Sequence, residues 1–279
     1  STRGSLQLYG RVPTRNGGGP RIHREKSVIG TMLNGKCVDT HCHLDLYPDP
    51  AHIVQEINRI GLHVIAVTNA PFVFQATQAL AGDSDLIHPS IGLHPELVKS
   101  HGTQLSMLLE RLQDVRFVGE VGLDYSEKVE RDRRQQRKVF ESILQTCQEL
   151  GNKIVSIHSR RAVNDVIDMV GFGFRGTAIM HWFTGTEKQL AVAHQNGLYF
   201  SINPAMVLSN SGRRLIAAMH PSRVLTETDG PFIDIDGQAA LPSNVDIVIK
   251  HLANLWNTSK EEVIEKIYDN FLRATGKPH

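Results

Sequence analysis

Asp39-Thr40-His41-Cys42-His43 sets two imidazoles two residues apart, and four later segments each deliver one more group able to bind a metal ion or move a proton. Side chains at i and i+2 of a strand share a face, so both rings can reach one cation while Cys42 points the other way. Alone the pair is weak, because nearby histidines are more often structural or surface groups. Its weight comes from a repeated pattern. Val115-Arg116-Phe117-Val118-Gly119 runs into Glu120, with Val121-Gly122-Leu123-Asp124 beyond. Lys153-Ile154-Val155-Ser156-Ile157 runs into His158, Thr177-Ala178-Ile179-Met180 into His181, and Arg223-Val224-Leu225-Thr226-Glu227-Thr228 into Asp229. Mixed imidazole and carboxylate donors suit Zn, Mn, Ni or Mg.

Each of these groups stands at the carboxyl end of a short apolar run, and in a closed parallel barrel all such ends meet on one face, where that fold keeps its active sites. Further strand candidates at 63–67, 86–91 and 198–202, with the run at 37–38, bring the number to eight. Helical periodicity lies between them, clearest at Val139, Phe140, Ile143, Leu144 and Cys147, spaced by three and four. Thr258-Ser259-Lys260-Glu261 resembles a capping box, opening a terminal helix with Val263, Ile264, Ile267 and Phe271 inward. This alternation over 279 residues predicts one α/β domain, a (β/α)8 TIM barrel over residues 32–279. A doubly wound open sheet fits less well, since groups from five strands converge more readily around a closed ring than along an open edge.

Composition narrows the setting. Lys and Arg number 30 against 29 Asp and Glu, so there is no global basic field and any grip on phosphates must be local. The three cysteines have no CxxC spacing, which argues for free thiols and a cytoplasmic location. No apolar stretch approaches the roughly 18 residues of a membrane span, and no membrane partner is expected. Residues 1–31, with Asn16-Gly17-Gly18-Gly19-Pro20 inside a polar, basic run, read as a flexible extension that need not be native, with Met32 a candidate original start.

His-x-His, then Gly119-Glu120-Val121-Gly122-Leu123-Asp124, Ile157-His158-Ser159-Arg160, His181-Trp182-Phe183-Thr184-Gly185 and Glu227-Thr228-Asp229-Gly230-Pro231-Phe232, in that order, resemble the TatD family of metal-dependent deoxyribonucleases. His158-Ser159-Arg160-Arg161-Ala162, His181-Trp182-Phe183, Phe200-Ser201 with Pro204-Ala205-Met206, and the Glu227 to Phe232 block are similar to QatD, the TatD-like component of the Qat anti-phage defence system. The resemblance implies a barrel of the metal-dependent hydrolase type with two divalent metal ions. One would be held by His41, His43, Glu120 and Asp229, the other by Glu120, His158 and His181, with Glu120 as the bridge. It also implies a 3′ exonuclease acting on DNA or RNA, single-stranded in either case, and other Qat proteins as partners.

Asp229 is the expected general base, because a carboxylate beside the attacking water can take its proton while a cation lowers that water's pKa. Arg160 is a candidate for a bidentate phosphate contact, with Glu227 its expected partner. His94, in Ile91-Gly92-Leu93-His94-Pro95, matches a family histidine near the substrate. Trp182 is a candidate for stacking on a base, whereas Phe183 reads as core. Asp124 is expected behind a ligand rather than on a metal. Arg131, Arg133, Arg134, Arg137 and Lys138, interleaved with Glu127, Glu130 and Asp132, read as a solvated helix face in preference to a guide for nucleic acid. Two departures from the family bear on substrate choice: Ser126-Glu127 replace the usual aromatic and basic residues after Tyr125, and the segment after Pro231 is shortened to Phe232-Ile233-Asp234-Ile235-Asp236-Gly237. Three functions stay open at this point: a nuclease, a hydrolase of amide or ester bonds with the same metal site, and a metal-bound scaffold of a defence complex.

Overall fold

The computed structural model describes residues 35–126 and 128–276; the extension over 1–31, Met32 and Glu127 lie outside the described residues. Eight parallel strands follow one another around a (β/α)8 barrel: β1 Cys37–Cys42, β2 Leu62–Val67, β3 Ile87–Ser90, β4 Phe117–Gly122, β5 Ile154–His158, β6 Thr177–Met180, β7 Tyr199–Ile202 and β8 Val224–Thr226. Parallel strands covered by helices are buried on both faces, which is why Leu62–Val67 is buried throughout and reads as a nearly continuous apolar run.

Two seams complete the ring. Between β3 and β4 a bridge pairs Ile91 with Val118, and Gly119 N–H donates to Ile91 O at 2.8 Å. Between β8 and β1, Asp229 N–H donates to His41 O at 2.9 Å and His43 N–H to Gly230 O at 2.8 Å, while the hydroxyls of Thr40 and Thr226 reach the carbonyls of Thr226 and Val38. Buried Thr at this seam supplies the hydrogen bonds that a short strand cannot make with its backbone alone.

The helix Glu130–Leu150 buries Val139, Phe140, Ile143, Leu144 and Cys147 against the barrel, as the spacing predicts. Its basic residues lie mostly toward solvent or pair locally: Arg134 with Glu130 at 3.8 Å, Arg131 with Asp132 at 3.5 Å, and Arg137 with Asp165. The terminal helix Lys260–Thr275 opens one residue later than the Thr258 reading: Ser259 is the cap, and its box partner is Glu262 rather than Glu261. Ser259 Oγ accepts from Glu262 N–H, the third helical position, and this spacing fixes the register. Val263, Ile267 and Phe271 are buried, and Ile264 is only half-buried.

The shortened segment after Pro231 holds structure that the sequence reading did not place, a small antiparallel hairpin of β9 Asp234–Ile235 and β10 Gln238–Ala239. Asp236 and Gly237 turn it with positive φ, the conformation that Asp-Gly favours in a two-residue hairpin. The hairpin is anchored to the barrel mouth where Tyr47 Oη donates to Ala240 O at 2.5 Å. Cys37, Cys42 and Cys147 are free and buried, and among the described residues no helix is long and apolar enough to cross a membrane.

Candidate metal centre

The carboxyl ends of β1, β4, β5, β6 and β8 bring His41, His43, Glu120, His158, His181 and Asp229 into one buried cluster. Strand β1 ends at Cys42, so His43 is the first residue beyond it; its ring centroid still lies 5.1 Å from that of His41. His41 stacks on His181 at 3.6 Å. Two carboxylates stand among the rings. Glu120 Oε2 is 3.5 Å from His41 Nε2 and 3.4 Å from His43 Nε2; Asp229 Oδ1 is 3.8 and 3.6 Å from the same atoms. His181 Nε2 lies 3.9 Å from Glu120 and 4.0 Å from Asp229. His41 Nε2 and both nitrogens of His43 are buried without a hydrogen-bond partner. Leaving buried polar atoms unpaired costs about 1 to 3 kcal/mol each, and a cation placed between the two carboxylates and the Nε2 atoms of His41 and His43 removes that cost for those two atoms. The donor set therefore fits a divalent metal.

Outer partners fix which nitrogen of each ring faces the cluster. His181 Nδ1 donates to Glu227 Oε2 at 2.9 Å, leaving Nε2 inward. His158 Nε2 donates to Asp124 Oδ2 at 2.8 Å, which turns Nδ1 toward Glu120 Oε1 at 2.7 Å. Ser156 Oγ lies 2.7 Å from His41 Nδ1. Carboxylates placed behind histidines in this way set the tautomer and raise ligand basicity. Asp39 braces the first block: it is fully buried and accepts from His41 N–H at 3.2 Å and Thr228 N–H at 2.9 Å, tying β1 to the residues after β8.

Glu227 differs from its sequence assignment. It was expected to pair with Arg160 and touch substrate, yet it is fully buried, and its carboxylate accepts from His181, from Trp182 N–H at 3.1 Å, from Asn203 Nδ2 at 2.9 Å and from Ser201 Oγ. With both oxygens taken, it positions His181. Arg160 is exposed and separate from it, its carbonyl accepting from Tyr125 N–H at 3.0 Å. Ser156, Ser201 and Asn203 were not singled out from the sequence; the available signal was a small polar residue inside or just after an otherwise apolar strand.

His94 Nε2 lies 3.3 Å from Glu120 Oε1, which groups it with Glu120 and His158. Its Nδ1 accepts from Glu96 N–H at 3.2 Å, so the neutral ring carries its proton on Nε2 and meets the cluster as a donor. Trp182 is half-buried, in a left-handed backbone conformation (φ 40°), edge-on to His181 at 6.3 Å. Phe183 is core, packed edge-on against Phe200 at 5.3 Å. Phe232, also outside the sequence-based site, stands edge-on to His43 at 4.9 Å and is partly exposed.

The charge pattern follows from this crowding. Burial opposes ionisation of Glu120, but the imidazoles of His94, His158, His41 and His43 outweigh it and hold its carboxyl well below the usual range. Burial likewise opposes charge on the rings. The carboxylates of Asp229 and Glu120 nonetheless raise His43 to about 10, Asp124 and Glu120 raise His158 to about 10, and Glu227 with Asp229 raises His181 to about 9. Burial and the neighbouring charge of His181 push His41 down to about 3. Metal must therefore displace protons from three rings at neutral pH. Uptake by stripped protein is expected to release protons and to tighten as pH rises from 6 to 9; titration calorimetry in buffers of different ionisation heat reads both. Because these three pKa values are raised above the unfolded value near 6.5, their contribution to metal-free stability is fully present below that pH. It is lost progressively as pH rises from there and is gone above about 9 to 10, so the Tm of stripped protein should fall from about pH 6.5 up to that range.

Gly92 makes the placement of Glu120 possible. A Cβ at this position would lie 2.1 Å from Thr68 O and 2.3 Å from Glu120 N, both backbone atoms that cannot swing away. Gly92→Ala is expected to cost about 1 to 3 kcal/mol or more and to lower metal content with it. Unfolding midpoints and elemental analysis of the variant check both effects.

The match to known proteins covers the whole barrel. The profile of the family described as TatD related DNase matches residues 38–276. Deoxyribonuclease TATDN3 from Homo sapiens is 26% identical over 264 residues, covering 86% of this chain and 94% of that protein. The metal-dependent hydrolase MJ1582 of Methanocaldococcus jannaschii is 25% identical over 246 residues, covering 86% of this chain and 96% of its own. Among solved structures, that of YjjV, a TatD homolog from Escherichia coli K12, superposes with a TM-score of 0.75 at 24% identity, covering 86% of this chain and 97% of that one. With the profile spanning β1 to the terminal helix and a His/Glu/Asp cluster able to bind metal at the strand ends, the chain belongs to the TatD family of metal-dependent hydrolases.

Proposed function

We propose that this chain is a nuclease that uses two divalent ions to hydrolyse phosphodiester bonds of single-stranded DNA from a 3′ end. The observation that carries the metal assignment is the pair of buried, unpartnered Nε2 atoms of His41 and His43 facing Glu120 and Asp229. His41, His43, Glu120 and Asp229 would hold one ion, and Glu120, His158 and His181 the other. When bound, such ions lower the pKa of the attacking water and neutralise charge on the phosphoryl oxygens. Asp229 accepts the proton of the attacking water. His94, with its proton on Nε2, donates to a phosphate oxygen or to the leaving oxygen. Arg160, exposed just after β5, and Trp182, half-buried just after β6, would serve as the phosphate and base contacts. Deoxyribonuclease names among the relatives favour DNA as substrate. Blocks similar to QatD, with three free cysteines, support a cytoplasmic role beside other Qat anti-phage proteins.

Digestion of DNA and RNA single strands, labelled at either end, under Zn, Mn, Ni and Mg tests this reading. A ladder that shortens from the 3′ end of DNA is expected. Absence of cleavage under every ion would overturn it in favour of a scaffold or of a hydrolase for another bond.

A further inference from the structure

A cavity of about 420 Å³ lies between the segment after β5 and the segment after β6. Its walls include Tyr125, Arg161, Asn164, Asp165, Thr184 and Gln189. The volume falls within the range of about 300 to 1,000 Å³ that takes a single small ligand. Within the cluster, the side chains of His158 and His94 are the more exposed, at 16% and 13%, against 7% or less for His41, His43, Glu120, His181 and Asp229. Tyr125 follows Asp124, the residue that holds His158, and Thr184 is three residues beyond His181, so the cavity wall and the metal ligands share the same two loops.

The charges of the wall do not cancel. Asp165 is engaged by Arg137 and by Tyr125 Oη, which donates to it at 2.6 Å. Asn164 and Gln189 are joined at 2.7 Å. Arg161 is exposed and has no hydrogen bond or ion pair among the described residues, although it is held at φ 56°, a conformation that a side chain with a Cβ seldom adopts. Arg137 already balances Asp165, which leaves the guanidinium of Arg161 as an unmatched cation on this wall. A planar guanidinium is suited to bidentate pairing with a phosphate.

We infer that this cavity is the subsite for the nucleotide next to the bond being cut, and that Arg161 grips a phosphate of that nucleotide other than the scissile one. The inference rests on the phosphodiesterase reading of the metal centre and deepens it. A strand bound this way is held at two successive phosphates, one on the metals and one on Arg161, which favours a substrate longer than the bare scissile unit.

The test compares thymidine dinucleotide with the same dinucleotide carrying one further phosphate, at its 5′ or its 3′ end, on metal-loaded full chain. One of the two phosphorylated forms should show kcat/KM about 10-fold or more above the plain dinucleotide, the scale of a hydrogen-bonded charge pair. The advantage should lie in KM. It should shrink toward one in Arg161→Gln and be partly kept in Arg161→Lys. No advantage at either end in the wild type, or an advantage unchanged in Arg161→Gln, would overturn the subsite.

If the wild type cleaves none of these substrates, the nuclease reading fails, and equilibrium binding judges the cavity. Thymidine 5′- or 3′-monophosphate should then bind about 10-fold or more tightly than thymidine, with that difference lost in Arg161→Gln. Equal affinities, or a difference that survives the substitution, reject the subsite.

Discussion

Asp229→Asn is expected to keep the barrel and most of the bound metal while hydrolysis of end-labelled DNA falls by about 10² or more, the scale of a lost general base. The amide oxygen of Asn can still face His41 and His43 from the place where Asp229 Oδ1 stands 3.8 and 3.6 Å away. It cannot take a proton from the attacking water. Backbone placement is also independent of the carboxylate: Asp229 N–H donates to His41 O, and the left-handed φ of 50° is a conformation that Asn tolerates well. Metal content, Tm and cleavage rate measured on one preparation separate the two roles. Full metal with wild-type cleavage would remove Asp229 from the base position; loss of metal with the activity would make it a ligand first.

Much of this was legible before any coordinates, and the reason is periodicity. Apolar runs ending in Glu120, His158, His181 and Asp229 announce parallel strands whose ends converge, because a parallel barrel buries both faces of each strand and leaves chemistry to the carboxyl ends. What sequence could not supply was pairing between distant loops. Arg160 and Glu227 are both charged and both near strand ends, so a salt bridge is the natural guess. Burial decides otherwise: a fully buried Glu needs several donors, and Trp182 N–H, Ser201, Asn203 and His181 satisfy it where an exposed arginine does not. Ser156 behind His41 and Asp39 behind Thr228 were hidden for the same reason, since their partners are 115 and 189 residues away in the chain. The hairpin at Asp234–Ile235 does carry a local signal, since Asp236-Gly237 is a favoured two-residue hairpin turn, but the strands on either side are too short to show a period.

Glu120→Gln should have the largest effect on metal content, because its two oxygens face different rings: Oε2 toward His41 and His43, and Oε1 toward His158 and His94. A neutral amide is a poor bridge between two cations, so both ions are expected to be lost or weakened together. The double variant His41→Ala with His43→Ala removes donors from one side only and should give up one ion while keeping the other at His158 and His181. The substitution at Glu120 has a second signature. Its charge helps hold protons on His43 and His158, so those rings should titrate lower in stripped Glu120→Gln protein, and fewer protons should be released on whatever metal uptake remains. Elemental analysis counts the ions, and calorimetry in paired buffers counts the protons. Wild-type metal stoichiometry in Glu120→Gln would sink the bridging assignment, and one ion per wild-type chain, lost alike in the histidine pair and in Glu120→Gln, would point to a single ion shared by all six groups.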